Sequence, residues 1–363
     1  MANILDYIRW RGDLTFDKSE LNEVDSLILA ELSYLNFESI AQNSEGVRLD
    51  DAAGQYFVEE RDKQKNTGDL QKPSYFSMLK LMADSKRFSN ILLSNYVQEE
   101  DADKNMQFSA ITCRLNDDLC YLAYRGTDDT LLGWKEDFLM SVMDTVPSQA
   151  AAVRYLEWVM DTHPNCKWYI GGHSKGGNLA VYAAVHAKKE KQEQILGVFN
   201  HDGPGFKESI VQTKEYQVVR RRINTTVPQS SIVGMLLEHD ENYTVVQSLE
   251  KGAMQHDGFS WEVCGPKFVH LESVTKESRM ADITIRKILS DMSDEQRRKF
   301  TESLFEVLAA DKNRTLTDIR MDGFRAVRAM LKTYDNLDKA SKKALQSMVM
   351  KMLSEGFKSM QER

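Results

Sequence analysis

The chain reads as an α/β protein with a mostly parallel central sheet covered on both faces, flanked by helical segments at either end. Three observations predict this. Between residues 90 and 271, short apolar or β-branched runs alternate with helical patterns, the order that builds a parallel sheet. Near the middle, the run Trp168-Tyr169-Ile170 passes through Gly171-Gly172-His173-Ser174-Lys175-Gly176-Gly177 straight into a helical stretch that lasts to Lys189. Outside that core, helical periodicity fills the segment before Asn90 and everything from Lys276 onward.

Taken in order, Leu21, Val24, Leu27, Ile28, Leu32 and Leu35 mark a helix over Glu20–Tyr34. Asp51–Lys65 and Tyr75–Ser85 read as further helices around the polar loop Asn66-Thr67-Gly68-Asp69. Leu92–Gln98, Gln107–Leu115 and Leu119–Tyr124 read as strands, the last two joined by the turn Asn116-Asp117-Asp118. Ser148 is placed to cap a helix over Gln149–Thr162. After the glycine-rich passage come strands at Ile195–Phe199, Gln217–Val227 and Tyr243–Gln247, then a closing hairpin of Phe259–Cys264 and Lys267–Leu271. The C-terminal helices are expected near Glu277–Leu289, Asp294–Ala310, Leu316–Thr333 and Leu337–Ser354.

With 363 residues the chain can form one large domain with an appendage, or two domains. Its charge places the boundary. Residues 273–363 hold 19 Lys+Arg against 14 Asp+Glu, whereas the whole chain carries a net −8, so residues 1–272 carry −13. The sheet-bearing domain is therefore assigned to 1–272 and a basic helical extension to 273–363. An acidic chain is a poor partner for nucleic acid. The extension's mixed charge suits a solvated face packed on the body, self-association, or peripheral contact with an anionic membrane. Met1–Asp6 has no basic or apolar leader, and no apolar run reaches membrane-spanning length, so the expected location is cytoplasmic. Cys113, Cys120, Cys166 and Cys264 form no C-x-x-C pair and read as buried reduced thiols. Metal-binding and nucleotide-binding spacings are missing, so no cofactor is expected.

Gly172-His173-Ser174-Lys175-Gly176 fits G-x-S-x-G, the nucleophile elbow, in its strand–turn–helix context. A serine on so sharp a turn leaves no room for side chains two positions either side. The turn lifts its hydroxyl off the sheet and leaves the Lys175 N–H at a helix start, where a developing oxyanion would be stabilised.

Arg125-Gly126-Thr127 with Trp134 and Asp137, followed by this elbow, resembles class 3 (triacylglycerol) lipases of the α/β-hydrolase fold. More closely, Asn3 to Leu271 resembles an uncharacterised bacterial family related to those lipases. That likeness rests on Asp6-Tyr7-Ile8, Asn22-Glu23-Val24-Asp25, Asp202-Gly203-Pro204-Gly205-Phe206, Val227-Pro228-Gln229-Ser230-Ser231-Ile232-Val233-Gly234 and Gln255-His256-Asp257. It implies a serine hydrolase of carboxylic esters, with lipid or acylglycerol esters as substrate. Ser174 would be the nucleophile and His256 the base, and the Thr127 and Lys175 amides would hold the oxyanion. The acid departs from the lipase pattern. The position those lipases reserve for it, ahead of Val227-Pro228, is Thr225, and Asp202, after the next strand, is the substitute. The order Ser174, Asp202, His256 matches α/β-hydrolases.

Rival readings stand beside these. Asp202 could cap the Gly203-Pro204-Gly205 bend as an Asx turn, with Glu238, Asp240 or Asp257 as the acid. His239 is the alternative base. His173 packs or hydrogen-bonds inside the elbow, His201 points into the core, His163 and His186 lie at the surface, and His270 sits on a terminal strand. Arg125 is expected to tie a loop to Asp128, Asp129 or Asp137. The same triad would serve a thioesterase or amidase, and loss of the acid would leave only a binding scaffold.

Overall fold

Helices begin where asparagine side chains can close them. In the computed structural model, α1 (Ile4–Arg11) and α2 (Glu23–Leu32) each open with a capping box, Asn3 with Asp6 and Asn22 with Asp25. Each asparagine takes two amides that a helix start leaves unpaired, and each aspartate returns a bond to the cap. α3 (Leu49–Thr67) and α4 (Pro73–Asp84) follow. The structure describes residues 1–67, 73–128, 135–137, 139–140, 143, 145–231, 233–276, 278–279 and 295. The first of two compact units holds Met1–Glu99, Phe108–Gly126 and Ser148–Thr275; the second takes in Glu100–Gln107 and the described part of Thr127–Pro147.

The strands are β1 (Val47–Arg48), β2 (Leu92–Asp101), β3 (Met106–Arg114), β4 (Leu119–Tyr124), β5 (Lys167–His173), β6 (Ile195–His201), β7 (Ile223–Pro228) and β8 (Tyr243–Val246). After a small hairpin of β9 (Val263–Cys264) and β10 (Lys267–Phe268) comes β11 (His270–Leu271). Among the described residues the sheet runs β1-β2-β3-β4-β5-β6-β7-β8-β11. β4 through β8 are parallel, while the β1–β2, β3–β4 and β8–β11 pairs are antiparallel.

Alternation along β4 decides which helix covers which face. Tyr121 points to α2, donating to the Ser26 carbonyl at 3.1 Å and meeting its hydroxyl at 2.8 Å. Tyr124 points the other way and donates to the Ala152 carbonyl of α5 (Pro147–Thr162) at 2.7 Å. α6 (Lys175–His186) packs on β5 and β6 and is buried from Lys175 to Val185. Five parallel strands with helices on both faces and a strand–serine–helix turn at the centre make this an α/β-hydrolase fold.

One ion pair ties α2 to the segment that follows α4. The Arg87 and Asp25 side chains are both fully buried and meet fork to fork, Nε to Oδ1 at 2.8 Å and Nη2 to Oδ2 at 2.5 Å. Tyr7 adds a hydroxyl to Asp25 Oδ1 at 3.0 Å, and the carbonyls of Leu14, Ser19 and Glu20 take the remaining guanidinium protons. Satisfying every donor is what makes so deep a charge tolerable.

Some expectations need correction. Gln217–Val227 is only half strand: Lys214–Val219 is a short helix capped by Thr213, then Arg220–Arg222 forms a 3-10 turn, and β7 starts at Ile223. Val218, expected on a strand, is 61 % exposed on that helix. α5 starts at Pro147, which suits a first helical position because its missing N–H would be unpaired anyway, so Ser148 lies inside the helix. Phe259 and Ser260 sit in a 3-10 turn, leaving only β9 and β10 as the expected hairpin, while His270 and Leu271 join the main sheet instead. Asn66 and Thr67 belong to α3. Cys113, Cys120 and Cys166 are buried and free, but Cys264 is exposed. Apart from residues 278–279 and 295, the expected helices between Glu277 and Ser354 lie outside the described residues, as does Trp134. Among the described residues no helix is long and apolar enough to cross a membrane, and no cluster of His, Cys, Asp and Glu could hold a metal ion.

Removing one partner of a buried pair strands the other charge, so Arg87→Ala should cost about 3–5 kcal/mol. Urea denaturation followed by circular dichroism measures it; a loss below about 1 kcal/mol would show that Asp25 finds another partner.

Candidate active site

Close backbone packing shapes the turn at Ser174. A Cβ on Gly172 would lie 2.3 Å from the Gly176 carbonyl carbon, and one on Gly176 would lie 2.1 Å from the Tyr124 carbonyl oxygen. Only glycine lets α6 start this close to β4 and β5. Ser174 itself takes φ 56° and ψ −133°, and its hydroxyl makes no capping bond to the helix that begins at Lys175. A serine at positive φ costs on the order of 1–3 kcal/mol, held in place by the surrounding sheet. The residue is 8 % exposed.

Strand register sets what stands beside it. His173 of β5 pairs with His201 of β6, so Ser174 and Asp202 follow in step at the carboxyl ends of neighbouring parallel strands. Backbone bonds pin both: Ser174 N–H to the His201 carbonyl at 2.9 Å, and Asp202 N–H to the Thr226 carbonyl at 2.7 Å. Asp202 also has positive φ, 52°, and is fully buried. Its Oδ1 accepts from the Ser231 hydroxyl at 2.5 Å and the Gly234 N–H at 3.1 Å. Its Oδ2 lies 2.6 Å from His256 Nδ1. A carboxylate in that position accepts, so the Nδ1 of His256 carries the proton and Nε2 is left as the basic nitrogen. The bend after β6 is capped by a different residue, Asn200, whose Oδ1 accepts from the Gly203 N–H at 2.9 Å.

The loop that brings His256 is fixed from several directions. Gln255 is buried and reaches the loop after β7, accepting from the Ser230 N–H at 2.7 Å. Its amide donates to the Glu250 carbonyl at 2.8 Å, and its own carbonyl accepts from the Trp261 indole at 2.8 Å. The His256 carbonyl in turn lies 2.7 Å from His173 Nε2, which brings residue 256 against the elbow. Thus Ser231, Gly234 and Gln255 support the site, although sequence reading gave them no role. They sat inside the motifs that carried the family likeness, and that was the available signal.

The Lys175 N–H is the first amide of α6, and the residue is buried. Thr127 belongs to the second unit, where its hydroxyl donates to Asp137 at 2.6 Å. Arg125 donates to Gln98 Oε1 at 3.3 Å, and Asp129, one of its expected partners, lies outside the described residues. His201 is fully buried with Nε2 2.9 Å from the Ser26 hydroxyl, and burial lowers its pKa to about 3, so it stays neutral. The alternative base His239 is engaged by Glu241 at 3.0 Å.

Glu241 also explains Thr225. The Thr225 hydroxyl donates to Glu241 Oε1 at 2.6 Å and the Tyr216 hydroxyl to Oε2 at 2.5 Å. Burial alone would raise the pKa of this carboxyl. The bond from His239, its charge, and the bonds from Thr225 and Tyr216 outweigh burial and hold it at about 2, below its ordinary 4.5. A depressed acid stabilises the fold above the unfolded value and loses that contribution as pH falls from about 4.5 toward 2, on the order of 3 kcal/mol in all. Glu241→Gln should therefore flatten the acid limb of stability between pH 5 and 3, read as urea midpoints. An unchanged difference from wild type across that range would rule out this carboxylate as a source of acid sensitivity.

Comparison with known proteins adds three findings. No curated protein matches the chain. Among solved structures it is similar to MDLA from Penicillium cyclopium, at 12% identity and TM-score 0.39 over 70% of this chain and 87% of that one. It is also similar to the Rhizomucor miehei lipase in its propeptide complex, at 13% identity and TM-score 0.35 over 55% and 68%, and to lipase II from Rhizopus niveus, at 14% and 0.34 over 53% and 79%. Residues 82–306 match the family profile described as Mbeg1-like, well over half of the chain. The chain belongs to the Mbeg1-like family, and its sheet and strand–serine–helix turn give it an α/β-hydrolase fold.

Proposed function

We propose that the chain is a serine hydrolase that cleaves carboxylic esters, with lipid or acylglycerol esters as its substrate class. The observation that carries this reading is the 2.6 Å contact between His256 Nδ1 and the buried Asp202, itself in register with the elbow serine. In this mechanism the Ser174 Oγ attacks the acyl carbonyl carbon and its proton passes to His256 Nε2. The tetrahedral intermediate collapses to a Ser174 ester, and the departing alcohol leaves with that proton. Water then repeats the cycle, giving up a proton to His256 and releasing the acid. Asp202 keeps the imidazole in the Nδ1–H tautomer and stabilises the imidazolium as it forms. The Lys175 N–H, first in α6, is aligned with the positive end of the helix and suits the developing oxyanion.

A fluorophosphonate probe tests the mechanism directly. Wild type should be labelled and Ser174→Ala should not, while Asp202→Asn should slow turnover by roughly 10⁴-fold. Failure of wild type to react, beside a serine hydrolase that does, would leave a binding scaffold. Labelling that persists in Ser174→Ala would remove Ser174 as nucleophile. An ester panel graded by acyl length then addresses substrate: hydrolysis of thioesters or amides without oxyesters would overturn the ester assignment.

A further inference from the structure

His173 lies one residue before the elbow serine, is 6 % exposed, and takes no part in the mechanism above. Its surroundings are nevertheless built for it. The Nε2 lies 2.7 Å from the His256 carbonyl oxygen, which can only accept, so Nε2 carries the proton. Nδ1 is then the acceptor, and the Tyr34 hydroxyl stands 3.2 Å from it. Glu31 Oε1 is 3.7 Å from the same nitrogen, while Oε2 accepts from the Tyr75 hydroxyl at 2.8 Å. The two imidazoles are tilted against each other, centroids 4.6 Å apart and planes 36° apart.

The same helices press on the loop beyond His256. A Cβ on Gly258 would lie 2.6 Å from Glu31 Oε1, and Tyr75 meets Phe259 edge to face at 4.9 Å between centroids. On the other side, a Cβ on Gly126 would lie 2.0 Å from the Tyr34 hydroxyl and 3.1 Å from Ser174 Cβ. Glu31, Tyr34 and Tyr75 thus come from the N-terminal helical segment and converge on His173, the serine and the histidine loop together. All three precede residue 82, where the family match begins.

We infer that His173 is a positioning residue for the reaction. Held in its Nε2–H tautomer by the His256 carbonyl, with the Tyr34 hydroxyl at Nδ1, it clamps the main chain of His256 so that the catalytic imidazole faces both Asp202 and Ser174. Backbone placement matters because His256 is itself a quarter exposed, at 28 %, on a loop, and a histidine anchored only through Nδ1 can swing about that bond. This inference rests on the serine-hydrolase reading, and a measurement that needs no turnover separates the two.

His173→Asn and His173→Gln form the decisive pair. Both side chains are polar, but only glutamine reaches far enough to donate to the His256 carbonyl. The readouts are the rate of fluorophosphonate labelling and the downfield proton resonance between His256 Nδ1 and Asp202, identified by its loss in Asp202→Asn. His173→Asn should label about 10²-fold more slowly, the scale of a misplaced catalytic group, and should broaden or shift the resonance. His173→Gln should restore most of both, and Tyr34→Phe should fall between them. Labelling within twofold of wild type in a folded His173→Asn protein overturns the inference, as does a glutamine variant no better than asparagine. If both His173 variants fail to fold, Tyr34→Phe decides: wild-type labelling with an unmoved resonance overturns it. Should wild type prove unreactive, the serine reading fails, whereas the effect of the variants on the resonance still reports whether His173 places His256.

Discussion

The site depends first on the parallel register of three strands. β5, β6 and β7 run parallel, and the pairs His173–His201 and His201–Thr226 put the last residues of β5 and β6 in line with Thr226 of β7. From there two bonds reach one strand over, Ser174 to the His201 carbonyl and Asp202 to the Thr226 carbonyl. Each holds a non-glycine residue at positive φ that would relax if the strand beside it moved. A one-residue slip would send each side chain to the opposite face. The serine and the carboxylate are therefore placed by main-chain geometry before any side chain contributes.

His256 is placed by a different kind of structure. It comes from a loop after β8 with little regular structure of its own, so its position must be assembled from bonds to other parts of the first unit. Gln255 joins it to the loop after β7, Trp261 closes the turn behind it, and His173 holds its carbonyl. Behind His173 stand Glu31, Tyr34 and Tyr75, and behind those the Asp25–Arg87 pair that seats α2. The N-terminal helices carry none of the residues proposed for chemistry, yet their packing reaches the elbow and the histidine loop. That gives the Asn22–Asp25 capping box a consequence beyond helix stability, since Asp25 serves the cap with one oxygen and Arg87 with both.

Much of this was legible in the sequence because it is written in short-range chemistry. Glycines two residues either side of Ser174 state that no Cβ fits there, and the structure puts backbone within 2.1–2.3 Å of those positions. The alternation of β4 and the order of strands and helices follow from periodicity. What failed were segments whose state is decided by tertiary context. Val218 and Val219 have strand propensity, yet Thr213 caps a helix ahead of them, and the chain enters the sheet only at Ile223. The partners of Asp202 were hidden for a related reason. Ser231 and Gly234 are about 30 positions away, and nothing local distinguishes a serine that will bond a buried carboxylate from one that ends a strand. Likewise Asn200, not Asp202, caps the bend after β6, a choice made by which side chain faces α6.

Under the proposed mechanism the acid stands away from Thr225, and that position is not left as a hole. The Thr225 hydroxyl is bound to Glu241, which also takes Tyr216 and His239. That set fills the position with bonded polar groups. The carboxylate that meets His256 comes instead from the end of β6, one strand nearer the serine. There it is fully buried, so its charge has to be offset by donors. Ser231 and Gly234 both bond one oxygen, leaving the other to His256. A carboxylate that only capped a turn would have no use for that division. Two fixed donors on Oδ1 set the orientation of Oδ2, and that orientation is what an imidazole needs if it is to keep its proton on Nδ1 while Nε2 works.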